Sequence, residues 1–269
     1  MFYEGTEKRL EIIVKEADLH TFPEQFWRDL VAQADAFVLS KIQNQDIHAY
    51  LLSESSLFVW KNRVLLITCG NTQLVNAAHF FQKHFPKNKI QALIFHRHQS
   101  IQPELQKTNF HEDAQSLSNQ LKGGSQHYSE NYQGDLFFFG SLNNELLNRK
   151  EILMLQGLSG GFAEHLQNGE ATNDLIESKL GIKYYFPQFT IDQFTFTPKG
   201  YSLNGINSEN YLTIHITPEK LSTYLSLESS LPKLELINFI DHLKQIFQPQ
   251  NSKLLHFSED KNNGLSLSI

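Results

Sequence analysis

The chain of 269 residues carries 23 Lys and Arg against 29 Asp and Glu, a formal net charge of −6, and 40% of its residues are hydrophobic. Its mean hydropathy is −0.36. These values exclude a disordered tail, a collagen and a coiled coil, and the length suits one large domain or two closely packed halves. The slight acidic excess, without any cluster of Lys and Arg, argues against a nucleic-acid partner or an anionic membrane surface and fits a cationic small-molecule ligand.

The single cysteine, Cys69, excludes an intrachain disulfide and a metal site built on several cysteines. We therefore expect a reducing compartment, with the cytoplasm as the default. The sequence has no run of about 18 apolar residues and no apolar core of a signal peptide near its N-terminus, so we expect neither a membrane span nor a secretory leader.

The first part of the chain alternates strands and helices. Strands are predicted at 8–14, 36–41, 49–52, 57–60, 63–69 and 90–95, and helices at about 21–34, with Pro23 in the first turn, and at about 72–85, capped by Thr72. Such alternation predicts a sheet covered by helices.

The second part begins with a polar stretch at 99–133, which predicts a loop with one helix. Further strands are predicted at 135–140, 151–155, 193–197, 200–206 and 211–217, and helices at 172–180 and 233–247. No linker or repeat divides the chain, so we predict one domain over 1–269, with two related halves as a further option.

The first hairpin gives the thiol a position. Counting outwards from a two-residue turn at 61–62 places Ser55 opposite Thr68 and Glu54 opposite Cys69. A slip of one residue would exchange the faces. A small buried cysteine at a strand end, and the SESS segment as a plain bend, are the alternatives at this point.

A second hairpin pairs a serine with a histidine. If 207–210 form the loop, Ser202 lies opposite His215, and His215 stands on the polar face of its strand. A tighter turn at 204–205 would break the pairing, and a cross-strand hydrogen bond without catalytic purpose is the alternative interpretation. His96 and His98 share one face of another strand, where we expect a solvated strand end rather than a metal site.

Five segments of the sequence resemble a known family. They are YEGTEK at 3–8, LSESSLFV at 52–59, TCG at 68–70, GYSLNG at 200–205 and TIHITPE at 213–219. In this order they look like the signature blocks of the S-adenosylmethionine decarboxylases of the eukaryotic type, which are self-cleaving proenzymes with a pyruvoyl group. The resemblance implies an α+β fold in which two stacked antiparallel sheets are flanked by helices, a four-layer αββα sandwich.

The resemblance also implies an activity. It is the decarboxylation of S-adenosylmethionine to the aminopropyl donor for spermidine and spermine biosynthesis. Loss of CO₂ leaves a carbanion that needs an electron sink, and a pyruvoyl group that forms a Schiff base with the substrate amine is one, without pyridoxal phosphate or a metal. In the family the chain makes this group itself by serinolysis, so cleavage between Glu54 and Ser55 would give a β chain of 1–54 and an α chain of 55–269.

Each catalytic position carries an implied role. Ser55 would be the precursor of the pyruvoyl group, and Cys69 would donate the proton that replaces CO₂. Ser202 would donate a hydrogen bond during processing, and His215 would be the processing base. The remaining matches are Glu4 and Glu7 as catalytic carboxylates and, for binding the sulfonium, adenine and ribose, Tyr3, Leu52, Glu54, Phe196 and Glu219.

Some positions depart from the family pattern. The site that binds the activator putrescine in animal enzymes is only partly recognisable, with Glu11 matching and Glu151 as a tentative match, so we do not expect putrescine activation. Ile67 replaces a common Lys, and Thr197 and Lys199 alter the surroundings of the substrate aromatic.

Two rival functions remain open from the sequence. The first is a pyruvoyl-dependent decarboxylase of a basic amino acid such as ornithine or arginine. The second is a non-catalytic regulatory paralogue, although the retention of Ser55, Ser202 and His215 speaks against it. A homodimer of αβ units is the candidate assembly.

Overall fold

The computed structural model describes residues 7–100, 102–128, 134–141, 150–197, 199–219, 223–258 and 266–268. They divide into two compact units, the first comprising the described residues up to 141 and the second those from 150 onwards. Each unit contains one sheet, in which all neighbouring strands run antiparallel, and helices packed on it.

The first unit has an eight-stranded sheet and three α-helices. Its strands are β1 (Lys8–Val14), β2 (Val38–Gln43), β3 (His48–Leu52), β4 (Ser55–Val59), β5 (Arg63–Thr68), β6 (Ile90–His98), β7 (Gly124–Tyr128) and β8 (Gly134–Gly140), and its helices are α1 (Glu24–Gln33), α2 (Leu74–His84) and α3 (Phe110–Ser118). The strand order is β2-β3-β4-β5-β1-β6-β8-β7. The N-terminal strand β1 is therefore inserted between two strands that come later in the chain.

Alternation along β1 explains how this sheet packs on its helices. Leu10, Ile12 and Val14 point to the helices and lie in the apolar core. Trp27 of α1 and Phe81 of α2 complete that core and are fully buried. Burial of each such side chain contributes about 1.5–3 kcal/mol to stability.

The second unit has a seven-stranded sheet and four helices. Its strands are β9 (Glu151–Gln156), β10 (Thr190–Thr195), β11 (Tyr201–Asn207), β12 (Asn210–Thr217), β13 (Tyr224–Ser229), β14 (Asn251–Ser258) and β15 (Ser266–Ser268), and its helices are α4 (Gly161–Asn168), α5 (Asn173–Leu180), α6 (Ile182–Tyr185) and α7 (Lys233–Phe247). The strand order is β10-β11-β12-β13-β9-β14-β15. Helix α7 buries residues spaced three and four apart, namely Leu236, Phe239, Ile240, Leu243 and Phe247.

The prediction of an α+β fold with two antiparallel sheets and flanking helices is confirmed. The predicted elements all exist, but β10 begins three residues and ends two residues earlier than the predicted 193–197. The elements missed were β7, β13, β14, β15, α4 and α6. Among the described residues, no helix combines the length and apolar character needed to cross a membrane.

Two local expectations were wrong. Thr72 does not cap α2, because Gln73 is the N-cap residue and the Thr72 hydroxyl bonds instead to the Cys69 carbonyl at 2.9 Å. His96 and His98 are each only 2% exposed rather than solvated. They are buried because β6 lies inside the sheet, between β1 and β8.

Candidate active site

The proposed cleavage position lies at a tight hairpin in the first unit. Leu52 pairs with Ser55, so Ser53 and Glu54 form a two-residue turn between β3 and β4. Ser55 has φ of +138°, a region that L-amino acids rarely adopt and that costs about 1–3 kcal/mol. Its hydroxyl is buried and, among the described residues, has no hydrogen-bond partner. The local backbone therefore holds a strained serine with an uncommitted nucleophilic oxygen.

The predicted register of the next hairpin is confirmed, and it brings the thiol to this turn. Ser55 pairs with Thr68. The Cys69 amide donates to the Glu54 carbonyl oxygen at 3.1 Å. The Cys69 Sγ lies 3.5 Å from the same oxygen and 3.8 Å from Glu54 Oε2. The thiol thus adjoins the residue that precedes the strained serine.

Glu7, which precedes β1, and Glu11 within it already have cationic partners. Glu7 forms a buried ion pair with Arg9, and Glu11 lies 2.6 Å from Nε of Arg63. All four side chains are at most about a tenth exposed. Removing one partner of such a buried pair would leave the other charge uncompensated, which is strongly destabilising. Tyr3 and Glu4 lie outside the described residues.

The predicted serine–histidine pair is formed in the second unit. A two-residue turn at 208–209 joins β11 to β12, and Ser202 pairs with His215 in the sheet. The Ser202 hydroxyl lies 2.7 Å from His215 Nδ1, and Thr217 Oγ1 lies 3.3 Å from Nε2. Ser202 is fully buried and His215 is 2% exposed. Both imidazole nitrogens are thereby held by hydroxyl groups.

A second polar group on this sheet was missed from the sequence. Tyr211 donates from its hydroxyl to Glu228 Oε1 at 2.7 Å, and Lys150 Nζ lies 3.2 Å from the same oxygen. Glu151 is 3.0 Å from His256 Nδ1. A prediction of strand β13 would have placed Glu228 on the polar face, because Leu225 and Leu227 occupy the core face.

The predicted substrate aromatic lies just beyond β10. The amide of Phe196 donates to the Gly200 carbonyl at 2.9 Å, and its ring is 5.0 Å from the ring of Phe194. Phe196 is half-buried, so part of its side chain is accessible to solvent. Glu219 is half-buried two residues after β12. Both residues lie outside the strands and are partly exposed.

The structure thus gathers six of the predicted site residues into two groups, each within its own unit. Leu52, Glu54, Ser55 and Cys69 meet at the β3–β4 hairpin, and Ser202 and His215 are hydrogen-bonded on β11 and β12. Within the described ranges, no cluster of three or more His, Cys, Asp or Glu side chains is arranged to hold a metal ion. Each group contains side chains of the kinds that enzymes use: a buried serine and a thiol in the first unit, and a serine–histidine pair in the second.

Comparison with known proteins assigns the chain to a family of enzymes. A sequence model described as adenosylmethionine decarboxylase matches residues 1–267. The S-adenosylmethionine decarboxylase proenzyme of Xenopus laevis is 29% identical over 273 residues, covering 93% of this chain and 81% of the relative. That of Trypanosoma cruzi is 27% identical over 291 residues, covering 95% and 75%. The chain therefore belongs to the adenosylmethionine decarboxylase family.

A solved structure supports the fold. The crystal structure of Trypanosoma brucei AdoMetDC-delta26 monomer superposes with a TM-score of 0.60 at 21% identity, covering 76% of this chain and 80% of that one. At this identity the likeness concerns the fold alone.

Proposed function

We propose that this protein is a self-processing, pyruvoyl-dependent decarboxylase of S-adenosylmethionine. The observation that carries the proposal is the state of Ser55. Ser55 has a positive φ and is buried, and its hydroxyl has no hydrogen-bond partner among the described residues. The carbonyl of the preceding residue, Glu54, accepts a hydrogen bond from the Cys69 amide. Family membership supports the same assignment.

Cleavage would begin at the Glu54 carbonyl carbon. The Ser55 hydroxyl attacks this carbon, the peptide C–N bond breaks, and an ester replaces the amide. Negative charge develops on the carbonyl oxygen, to which the Cys69 amide already donates. The strained φ at Ser55 raises the energy of the uncut chain and so favours the reaction.

The second group supplies the donor and the base in this proposal. Because Nδ1 of His215 lies 2.7 Å from the Ser202 hydroxyl, the two side chains can exchange a proton along one hydrogen bond. By their match to family positions, His215 is assigned as the base of the elimination and Ser202 as the donor to the oxyanion. In the elimination, residue 55 would lose its α-proton and its Cβ–O bond, and Glu54 would leave as a free carboxylate. The dehydroalanine that remains would take up water and release ammonia to give the pyruvoyl group.

The surroundings of Ser55 fit the group that cleavage would produce. An α-keto amide carries only acceptor oxygens, and the amide and thiol of Cys69 are donors at the adjoining turn. When formed, the pyruvoyl group supplies the electron sink for loss of CO₂. Cys69 would then deliver a proton from Sγ to the substrate α-carbon. A thiol in this role must stay reduced, which suits the cytoplasm.

The substrate-binding residues are assigned by their match to family positions. We assign the Leu52 and Glu54 backbone, Phe196 and Glu219 to the adenosyl and sulfonium parts, with Tyr3 as a second ring. A ring face beside a sulfonium offers a cation–π contact. Glu4 and Glu7 are assigned as catalytic carboxylates, and Glu7 would act from its ion pair with Arg9.

Intact-mass measurement of the freshly purified, denatured protein tests the first step. Scaling 31.0 kDa by residue number predicts fragments of about 6 and about 25 kDa. Ser55→Ala should remain uncut, whereas Ser56→Ala, which changes the adjacent buried serine, should still be cut. An active, uncut Ser55→Ala protein would refute the pyruvoyl assignment.

Release of CO₂ from labelled substrates tests the second step. S-adenosylmethionine should be decarboxylated, and ornithine and arginine should not. Phe196→Ala should lower kcat/KM for S-adenosylmethionine by about 2- to 13-fold, which corresponds to loss of one stacking contact worth about 0.5–1.5 kcal/mol. Turnover of ornithine or arginine instead, or a wild-type chain that stays uncut, would favour the rival functions. Gel filtration of the cut protein would test the proposed homodimer.

A further inference from the structure

The turn that carries Cys69 is fixed by an unusual set of hydrogen bonds. It links β5, which ends at Thr68, to α2, which begins at Leu74. Lys8 Nζ donates to the carbonyl oxygens of Gly70 at 3.0 Å and Thr72 at 2.6 Å. The Thr72 hydroxyl bonds to the Cys69 carbonyl at 2.9 Å and to the Thr68 hydroxyl at 2.7 Å. Three carbonyls of the turn are thus held by two side chains.

Within the part of the chain that the structure describes, the Lys8 ammonium group donates to this turn and to no other segment. Lys8 is 3% exposed, and among the described residues its ammonium group has no carboxylate within ion-pair distance. Burial, followed by the charge of Arg97, lowers the pKa of Lys8 to about 7, although Asp113 and Cys69 act in the opposite direction. Burying a cation without a counter-ion is costly, so this lysine is unfavourable as a purely structural residue.

The backbone of the turn also requires precise support. Gly70 has φ of +66°, and a β-carbon at that position would lie 3.4 Å from Glu54 Oε2. The turn is therefore close to the residue at the proposed cleavage position. A shift of the turn would move Sγ of Cys69 away from the Glu54 carbonyl, which it now approaches to 3.5 Å.

We propose that Lys8 and Thr72 are positioning residues that fix the Cys69 thiol in the orientation needed for proton delivery. This inference rests on the proposed function, in which Cys69 returns a proton to the substrate. Lys8 acts from one side of the turn through the Gly70 and Thr72 carbonyls. Thr72 acts from within it through the Cys69 carbonyl. Misplacement of a reacting group by about 1 Å can lower a rate about 100-fold, so loss of either anchor should reduce turnover.

The test observes the thiol directly. Because Cys69 is the chain's one cysteine, a [3-¹³C]cysteine label gives one side-chain resonance, and alkylation by iodoacetamide measures one site. Both are recorded in the uncut Ser55→Ala chain, where they do not depend on decarboxylation. Lys8→Met should shift, broaden or split the resonance and speed alkylation about tenfold or more, because the turn opens more often.

Matched variants separate a hydrogen-bonding role from a loss of charge. Lys107→Met removes a cation of the same neighbourhood that is ion-paired with Asp35, and it should leave the resonance and the alkylation rate of Cys69 unchanged. Thr72→Val should reproduce the Lys8→Met result, whereas Thr72→Ser should not. If Lys8→Met fails to fold, Thr72→Val decides the question.

Activity provides a second, separable result. In the processed enzyme, Lys8→Met and Thr72→Val should lower kcat for S-adenosylmethionine about 10- to 100-fold with little change in KM. An unchanged Cys69 resonance and alkylation rate in both variants would overturn the proposed positioning. Altered thiol signals in a protein that does not decarboxylate S-adenosylmethionine would instead retain the positioning of Cys69 and reject the proposed function.

Discussion

The hydrogen bond between Ser202 and His215 predicts how self-cleavage responds to mutation. Removing one oxyanion donor slows a reaction by about 10²- to 10³-fold, and removing a general base by about 10²- to 10⁴-fold. If Ser202 and His215 acted independently, the double variant would be slower by the product of the two effects. Because one buried bond of 2.7 Å joins them, we expect the double variant to be no more than about tenfold slower than His215→Ala alone.

The assay follows the uncut chain after cell-free synthesis. Samples are denatured at intervals and the first-order rate of cleavage is obtained from the ratio of uncut chain to fragments. Ser229→Ala is the matched control, since it removes another fully buried serine hydroxyl of the same sheet, one that donates to the Tyr211 carbonyl at 2.8 Å. It should be cleaved at close to the wild-type rate. Normal cleavage of Ser202→Ala, or effects that multiply in the double variant, would refute the assignment of this pair.

Three further predictions concern regulation, stability and pH. Putrescine should leave the rate of decarboxylation unchanged within about twofold, because Glu11 already has a cationic partner, Arg63, 2.6 Å away. A large stimulation by putrescine in a steady-state assay would contradict this prediction. In the uncut Ser55→Ala chain, replacing the buried Phe239 by Ala should lower the free energy of unfolding, measured in urea, by about 3–5 kcal/mol. The control Leu234→Ala changes a side chain that is 87% exposed, and it should alter this free energy by about 0.5 kcal/mol or less. In the same chain, the lowered pKa of Lys8, about 7, means that the unfolded state binds more protons than the native state between about pH 7 and 10. The contribution of Lys8 to stability should therefore rise with pH across that range. The measurement compares the free energy of unfolding of this chain with that of its Lys8→Met variant at pH 7 and pH 9. A difference between the two chains that is the same at both pH values would contradict the prediction.

Strand registers were the part of the site that the sequence predicted well. A two-residue turn and strict alternation determine which residues face each other, so Ser55 with Thr68 and Ser202 with His215 follow from counting. Periodicity also predicted α7 with both of its ends, because its apolar residues keep helical spacing throughout.

The features that the sequence did not predict have identifiable physical reasons. The edge strand β7 has the sequence GSQHY, which lacks the apolar alternation of a half-buried strand. The burial of His96 and His98 depends on which strands flank β6, and strand order is a property of the whole sheet. The ion pairs of Glu7 and Glu11 likewise depend on side-chain directions that spacing alone does not give. Polar chemistry inside the fold was thus harder to predict than the backbone that carries it.

The insertion of β1 between β5 and β6 has a consequence for the processed protein. Cleavage after Glu54 would leave β1, β2 and β3 on one polypeptide and β4 to β8 on another, interleaved in a single sheet. The small fragment could not leave without breaking the ladders that β1 forms on both sides and the β3–β4 pairing. Folding of the uncut chain is unimolecular, but reassembly after unfolding would require two molecules to meet. The cleaved protein would therefore stay folded because its unfolding is slow, and the yield of refolding after denaturation would depend on the protein concentration.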